Sequence, residues 1–159
     1  MGEHTRVLIV DDDESIRKTL AAILEEEGHA VDTAPNGREA IRKSKTRAYN
    51  LALIDIRLPD MEGTTLLTKM ADTTPRMRKI IITGYPSLQN AMDALNRGAD
   101  AYILKPFDLT KVLQTINEQL KKQEEEVNYS QNKVAEFIET RVKELEEKTV
   151  NNKKTRRNA

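Results

Sequence analysis

Short, continuous apolar runs alternate along this chain with longer stretches whose apolar residues recur every three or four positions. That is the pattern of a parallel sheet wrapped by helices. The first run, Val7-Leu8-Ile9-Val10, lacks polar alternation and predicts a strand covered on both faces. Asp13 or Glu14 caps the helix that follows, where Ile16, Leu20, Ile23 and Leu24 form one stripe and Gly28 supplies a left-handed stop. Ala30 to Ala34 reads as a second strand, closed by Pro35-Asn36-Gly37, and the next helix turns Ala40, Ile41 and Ser44 inward. Leu51-Ala52-Leu53-Ile54 forms a third strand that delivers Asp55 at its C-terminal end. A loop from Leu58 to Gly63 leads into a helix with Leu66, Leu67 and Met70 inward. Ile80-Ile81-Ile82 runs into Thr83-Gly84, and the helix after it is expected to bury Leu88, Ala91, Met92 and Leu95 before stopping at Gly98. Ala101-Tyr102-Ile103-Leu104 is the fifth strand and delivers Lys105-Pro106.

Five βα units in this order predict an α/β fold, a three-layer α/β/α sandwich with strand order 2-1-3-4-5. Right-handed crossovers then place every strand's C-terminal end along one edge.

Composition narrows the function classes. The chain has 159 residues, enough for one compact domain and an appendage. Lys+Arg and Asp+Glu both count 26, so global charge predicts no attraction to nucleic acid or anionic membrane. Cysteine is absent, which excludes disulfides, thiolate catalysis and Cys-based zinc sites. The first strand follows six residues without a signal-peptide core, and Arg6 stands where myristoylation after Gly2 requires Ser or Thr. No apolar run approaches the length of a bilayer span. A soluble, cytoplasmic protein without membrane insertion is expected.

The predicted strand edge collects Asp11 and Asp12 after strand one, Asp55 after strand three, Thr83 after strand four and Lys105 after strand five. Crowded carboxylates repel one another and raise each other's pKa unless a cation sits among them. Oxygen donors of this kind suit a hard divalent ion such as Mg²⁺. Asp55 is then placed to attack phosphorus, with Lys105 and the metal neutralising the phosphoryl oxygens and Thr83 hydrogen-bonding one of them. Asp13 is read as a helix cap in preference to a ligand. His4 and His29 are expected at the surface, outside any phosphate relay.

Four strings carry a family resemblance: V-L-I-V-D-D-D at Val7 to Asp13, I-D-I-R-L-P-D-M-E-G at Ile54 to Gly63, I-I-T-G at Ile81 to Gly84, and Y-I-L-K-P-F at Tyr102 to Phe107. Their order and spacing resemble the receiver (response-regulator) domains of two-component signalling, over about residues 6–120, and the resemblance implies a flavodoxin-like sheet. It further implies Asp55 as phosphoacceptor, Asp12 as direct Mg²⁺ ligand, Asp11 acting mostly through water, and the backbone carbonyl of Arg57 in the metal shell. Thr83 and Lys105 would contact the phosphoryl group, Tyr102 would change rotamer with Thr83, and the Lys105-Pro106 bond would be cis. Arg57 would either shield the aspartyl phosphate or meet the attacking water. The implied partner is a sensor histidine kinase. The chain would not be a turnover enzyme, its chemistry being Mg²⁺-dependent self-phosphorylation and slow self-dephosphorylation.

Two other functions fit parts of the pattern. Asp11 and Asp13 form a D-x-D after strand one, as in haloacid-dehalogenase-type phosphatases, but no substrate-binding cap fits. Alternatively the receiver is an inert scaffold for the tail.

Residues 1–121 are therefore assigned to the receiver domain and 122–159 to a charged helical tail. No Pro or Gly follows Pro106, so the fifth helix is expected to run from about Leu109 to Thr149, on the order of 60 Å. A heptad can be drawn through Leu113, Ile116, Leu120, Val127, Val134 and Phe137, interrupted by Gln123 and Ser130 and slipping to Ile138, Val142 and Leu145. A weak coiled coil, a helix docking on a partner and a solvated extension all fit. The basic residues between Asn151 and Ala159 are expected to be disordered. The tail holds no turn between two apolar helices, so no helix-turn-helix output is expected and DNA binding is not anticipated. The output would be a downstream partner or a self-dimer, through the strand 4–helix 4–strand 5 face or the C-terminal helix.

Overall fold

A computed structural model of the protein describes residues 5–157. Five parallel strands, β1 (Arg6–Val10), β2 (Ala30–Ala34), β3 (Leu51–Asp55), β4 (Arg78–Thr83) and β5 (Ala101–Leu104), form one sheet in the order β2-β1-β3-β4-β5. Between and after them run α1 (Glu14–Glu26), α2 (Gly37–Thr46), α3 (Gly63–Lys69), α4 (Leu88–Asn96) and α5 (Leu109–Arg157). The order reverses beside β1, and the expected sheet and α/β class are found.

Side-chain alternation on the buried strands divides the interior into two cores. Leu8, Val10, Ala52, Ile54 and Ile81 point to one face, where Ala40 of α2, Leu66 and Leu67 of α3 and Ala94 of α4 cover them. Val7, Ile9, Leu51, Leu53, Ile80, Ile82 and Ile103 point to the other, under Leu20 and Leu24 of α1 and Val112 and Ile116 of α5. Continuous apolar runs in β1, β3 and β4 reflect this double coverage. Gly28 and Gly98 follow α1 and α4 with φ of 96° and 104°, the left-handed stop that glycine makes without steric cost.

The structure corrects several expectations. In α4 the stripe Leu88, Met92 and Leu95 faces solvent, at 78%, 50% and 56% exposure, while Ala94 is buried and Ala91 half-buried. Periodicity shows which residues share a face, and here the sheet takes the face with the small residues. Gln123 is buried and not a solvated break in a seam. Its amide donates to the carbonyls of Asn50 (2.9 Å) and Arg76 (2.8 Å) and accepts from the Asn50 side chain (3.2 Å). Helix α5 continues past Thr149 to Arg157. The basic segment is thus helical where disorder was expected, because nothing in it breaks a helix and Thr155 Oγ1 bonds back to the Asn151 carbonyl. His29 is half-buried and hydrogen-bonded to Thr5, and burial lowers its pKa. His4 lies outside the described residues.

The chain divides into two compact units between Gln123 and Glu124. No helix among the described residues is long and apolar enough to cross a membrane.

Candidate functional site

β1 is a fully paired inner strand, and it ends where the chain must turn out over the sheet edge. Asp11, the next residue, is buried, and Asp12 beside it is exposed. The turn is held from both sides. Asp11 Oδ1 accepts the Asp13 amide at 2.9 Å, and Arg17 of α1 donates to the Asp11 carbonyl at 2.7 Å. Asp13 caps α1, its carboxylate accepting the amides of Ser15 and Ile16, which occupies it as a cap. The D-x-D pair of a dehalogenase-type site is therefore not assembled.

β3 delivers Asp55 into the middle of the same edge, almost enclosed. The chain then doubles back so closely that the Gly63 amide meets the Ile56 carbonyl at 2.7 Å. A Cβ on Gly63 would lie 2.4 Å from the Asp55 carbonyl oxygen, so only glycine fits this return. Carboxylate oxygens of Asp11, Asp12 and Asp55 all lie within 4.8 Å of one another.

Lys105, at the end of β5, reaches this group. Its Nζ is 3.0 Å from Asp11 Oδ2 and 3.5 Å from Asp55 Oδ2. Burial pushes the ammonium's pKa down, but its hydrogen bond and charge contact with Asp11, joined by Asp55, outweigh that and raise it. Asp55 is raised by burial first and by Asp11's charge second, against the pull of Lys105. One ammonium against three carboxylates leaves the site short of positive charge.

Thr83 is wholly buried at the end of β4, one residue beyond Ile82, which pairs with Asp55. Its hydroxyl accepts the Tyr85 amide at 2.9 Å, and its carbonyl accepts the Lys105 amide at 2.7 Å. Tyr102 pairs with Ile81 in the sheet and leaves its hydroxyl enclosed without a hydrogen-bond partner. The Lys105-Pro106 peptide is cis, and so is Thr74-Pro75, which nothing in the sequence announced. The structure thus brings Asp11, Asp12, Asp55 and Lys105 into one cluster. It places Thr83 beside them in the sheet and Tyr102 one strand further on.

Arg57 contacts both Asp55 and the loop after β4. Its amide donates to Asp55 Oδ1 at 3.3 Å, and its guanidinium lies over the Tyr85 ring, 3.8 Å from the centroid. Tyr85 and Arg17 were missed in the sequence. No periodicity marks a lone loop aromatic, and Arg17 sits in the first turn of α1, where only the apolar stripe was informative. Asp60 was missed too. Its two carboxylate oxygens accept the Gly37 and Arg38 amides, each at 2.9 Å, tying the loop after Asp55 to the start of α2.

A five-stranded parallel sandwich with this edge belongs to a known class. The chain is a member of the response regulator receiver domain family, whose model matches residues 7–117. It is 37% identical over 119 residues to the transcriptional regulatory protein ZraR of Klebsiella oxytoca, covering 75% of this chain and 27% of that one. A response regulator receiver domain protein (CheY-like) from Methanospirillum hungatei JF-1 superposes with a TM-score of 0.75 at 48% identity, over 78% of this chain and 99% of the other. A response regulator protein from Burkholderia pseudomallei, solved with a phosphorylated aspartic acid, a calcium ion and citrate, superposes at 0.67 with 30% identity, covering 77% and 72%.

These relatives overturn one expectation. A switch without a DNA-binding output was read from the tail, yet the chain spans about a quarter of the length of the first curated relatives it matches, and those are named as regulatory proteins, ZraR as transcriptional. The likeness covers the receiver portion alone, so residues 122–159 say nothing of what the output is. The expectation against DNA binding finds no support among them.

Proposed function

We propose that this chain is the phosphoacceptor input module of a transcriptional response regulator, with Asp55 taking the phosphoryl group. The observation that carries the reading is the Lys105 ammonium between the Asp11 and Asp55 carboxylates, with Asp12 completing an oxygen cluster. An all-oxygen donor set with excess negative charge fits a hard divalent cation. Asp11, Asp12, Asp55 and the Arg57 carbonyl would hold Mg²⁺. That ion, when bound, neutralises the crowded carboxylates and polarises the phosphoryl oxygens.

The chain's own groups do the rest. An Asp55 carboxylate oxygen attacks phosphorus, the bond from phosphorus to the donor atom breaks, and the leaving group departs with the electron pair. A phosphohistidine of a sensor histidine kinase is the donor this chemistry suits, and a small acyl phosphate serves in its place. Lys105 exchanges its carboxylate contacts for a phosphoryl oxygen, and the Thr83 hydroxyl donates to another. Supporting this, the Burkholderia pseudomallei relative was solved with a phosphorylated aspartic acid and a calcium ion. The protein accepts one phosphoryl group per chain and loses it slowly to water, so it does not turn over external esters. Its site of action is the cytoplasm, where transcription is controlled.

The test is incorporation of label from acetyl phosphate or a phosphorylated kinase, with and without Mg²⁺. Asp55→Asn is expected to abolish acid-labile label. Undiminished, Mg²⁺-dependent label in that variant would overturn the assignment.

A further inference from the structure

Residues 124–157 are helical throughout, and most apolar side chains of this second unit are exposed. Val134, Ile138, Val142 and Leu145 are all exposed, and Val127 is half-exposed. A heptad drawn from Val127 through Val134 fails, because the next two positions are Arg141 and Lys148. A spacing of four, three and four residues, repeating every eleven, does not fail. It gives Val127, Gln131, Val134, Ile138, Val142, Leu145 and Thr149. An eleven-residue repeat has about 3.67 residues per turn, so its stripe stays on one face of a nearly straight helix.

Over its C-terminal half, the flanks of that stripe carry opposite charge. On the helical surface Arg141 and Lys148 border one side, and Glu139 and Glu146 border the other. All four are exposed, and Arg141 and Glu139 make only short-range pairs on their own helix, with Glu144 at 2.8 Å and Lys143 at 3.5 Å. When two such helices lie side by side in parallel, the basic flank of each meets the acidic flank of the other. In the antiparallel arrangement acid meets acid and base meets base. The charge pattern therefore chooses a second copy of the same chain, in parallel.

We propose that residues 127–149 form a parallel, in-register, two-stranded helical dimer with a second copy of this chain, wound on the eleven-residue repeat. The dimer is present before any phosphorylation and does not depend on the assignment of Asp55. With only five apolar residues per helix it is concentration-dependent.

Sedimentation equilibrium of the full, unphosphorylated chain, loaded from about 5 to about 500 μM, reads the association directly. The mass should climb from 18.1 kDa toward twice that value. Ile138→Asp should hold it at the monomer while leaving the receiver's thermal melt in place. Arg141→Glu should weaken the dimer about tenfold, and Arg141→Glu with Glu146→Arg should restore it. Orientation is read from the absence of native cysteine. Gln131→Cys and Leu145→Cys should each cross-link to themselves on mild oxidation. A monomer at every concentration, a trimer or larger, or cross-linking only between the two different cysteine variants would overturn the proposal. Failure here leaves the phosphoacceptor reading untouched, since acetyl phosphate labelling is scored on the same samples.

Discussion

Replacing Asp55 by Asn should make the protein more stable in chelator and, at the same time, nearly deaf to Mg²⁺. Asp55 is 9% exposed and sits with Asp11 and Asp12 oxygens within 4.8 Å. At an effective dielectric of about 20, Asp11's repulsion at that separation is about 3.5 kcal/mol, and Lys105's attraction at 3.5 Å is about 4.7 kcal/mol. The two nearly offset each other. Together they favour the charge by about 1.2 kcal/mol, which Asp12's screened repulsion and a burial penalty, jointly about 2–3 kcal/mol, outweigh, so the balance is net destabilising by about 1–2 kcal/mol. For a chain of this size that corresponds to about 2–4 °C in Tm per kcal/mol. The sign with pH follows from the raised pKa of Asp55. The penalty is absent at acid pH, where the carboxyl is protonated folded and unfolded. It grows as pH rises from the ordinary carboxylate range towards the raised value and is complete above it. The wild-type chain should regain stability when Mg²⁺ is added, by about 2.7 kcal/mol at a hundredfold excess over its Kd. The variant should gain much less. Thermal melts at pH 7 in EDTA and in Mg²⁺, repeated near pH 3, give four curves per protein. A variant no more stable than wild type in EDTA at pH 7, or one that keeps the full Mg²⁺ response, would refute the electrostatic reasoning.

Other expectations follow from single contacts. Gly63→Ala drives a methyl against the Asp55 carbonyl and the Ile56 backbone, so it should cost about 2–4 kcal/mol in urea unfolding and depress labelling of Asp55. Gln123→Ala removes three hydrogen bonds at a buried position and should cost about 1–3 kcal/mol, measured by the same unfolding curve, with labelling unchanged. Asp60→Ala frees the Gly37 and Arg38 amides at the start of α2, where Asn36 still caps Glu39, and should cost about 0.5–2 kcal/mol at neutral pH. The Gly37 amide, first among its partners, holds the Asp60 carboxyl below its usual pKa, so this difference should be present above the ordinary carboxylate range and vanish as pH falls through the lowered value.

The sequence announced most strongly what lies in the buried strands. Val7 to Val10, Leu51 to Ile54 and Ile80 to Ile82 are covered on both faces, and a run with no polar interruption has few other homes. Asp55 and Lys105 were legible for the same reason: a charge that closes such a run needs partners, and the topology supplies them. The α4 stripe was misplaced because Leu88, Met92 and Leu95 and the small pair Ala91 and Ala94 lie on different faces, and amphipathicity alone does not say which one the sheet takes. Arg17, Tyr85 and Asp60 act through contacts that no local spacing encodes: a carbonyl six residues back, a guanidinium on another loop, and amides more than twenty residues away. In the tail, an assumed period of seven hid a regular period of eleven.

The grip of Asp60 on α2 has a mechanical consequence. Met61, the next residue, lies where a side chain on Gly37 would collide with its sulfur, so the same loop both ties and presses on the first turn of that helix. Any displacement of the segment leaving Asp55 must break two amide contacts or drag the opening of α2 along. A shift at the acidic edge would therefore be felt at the opening of α2, which lies between β2 and β3 in the chain.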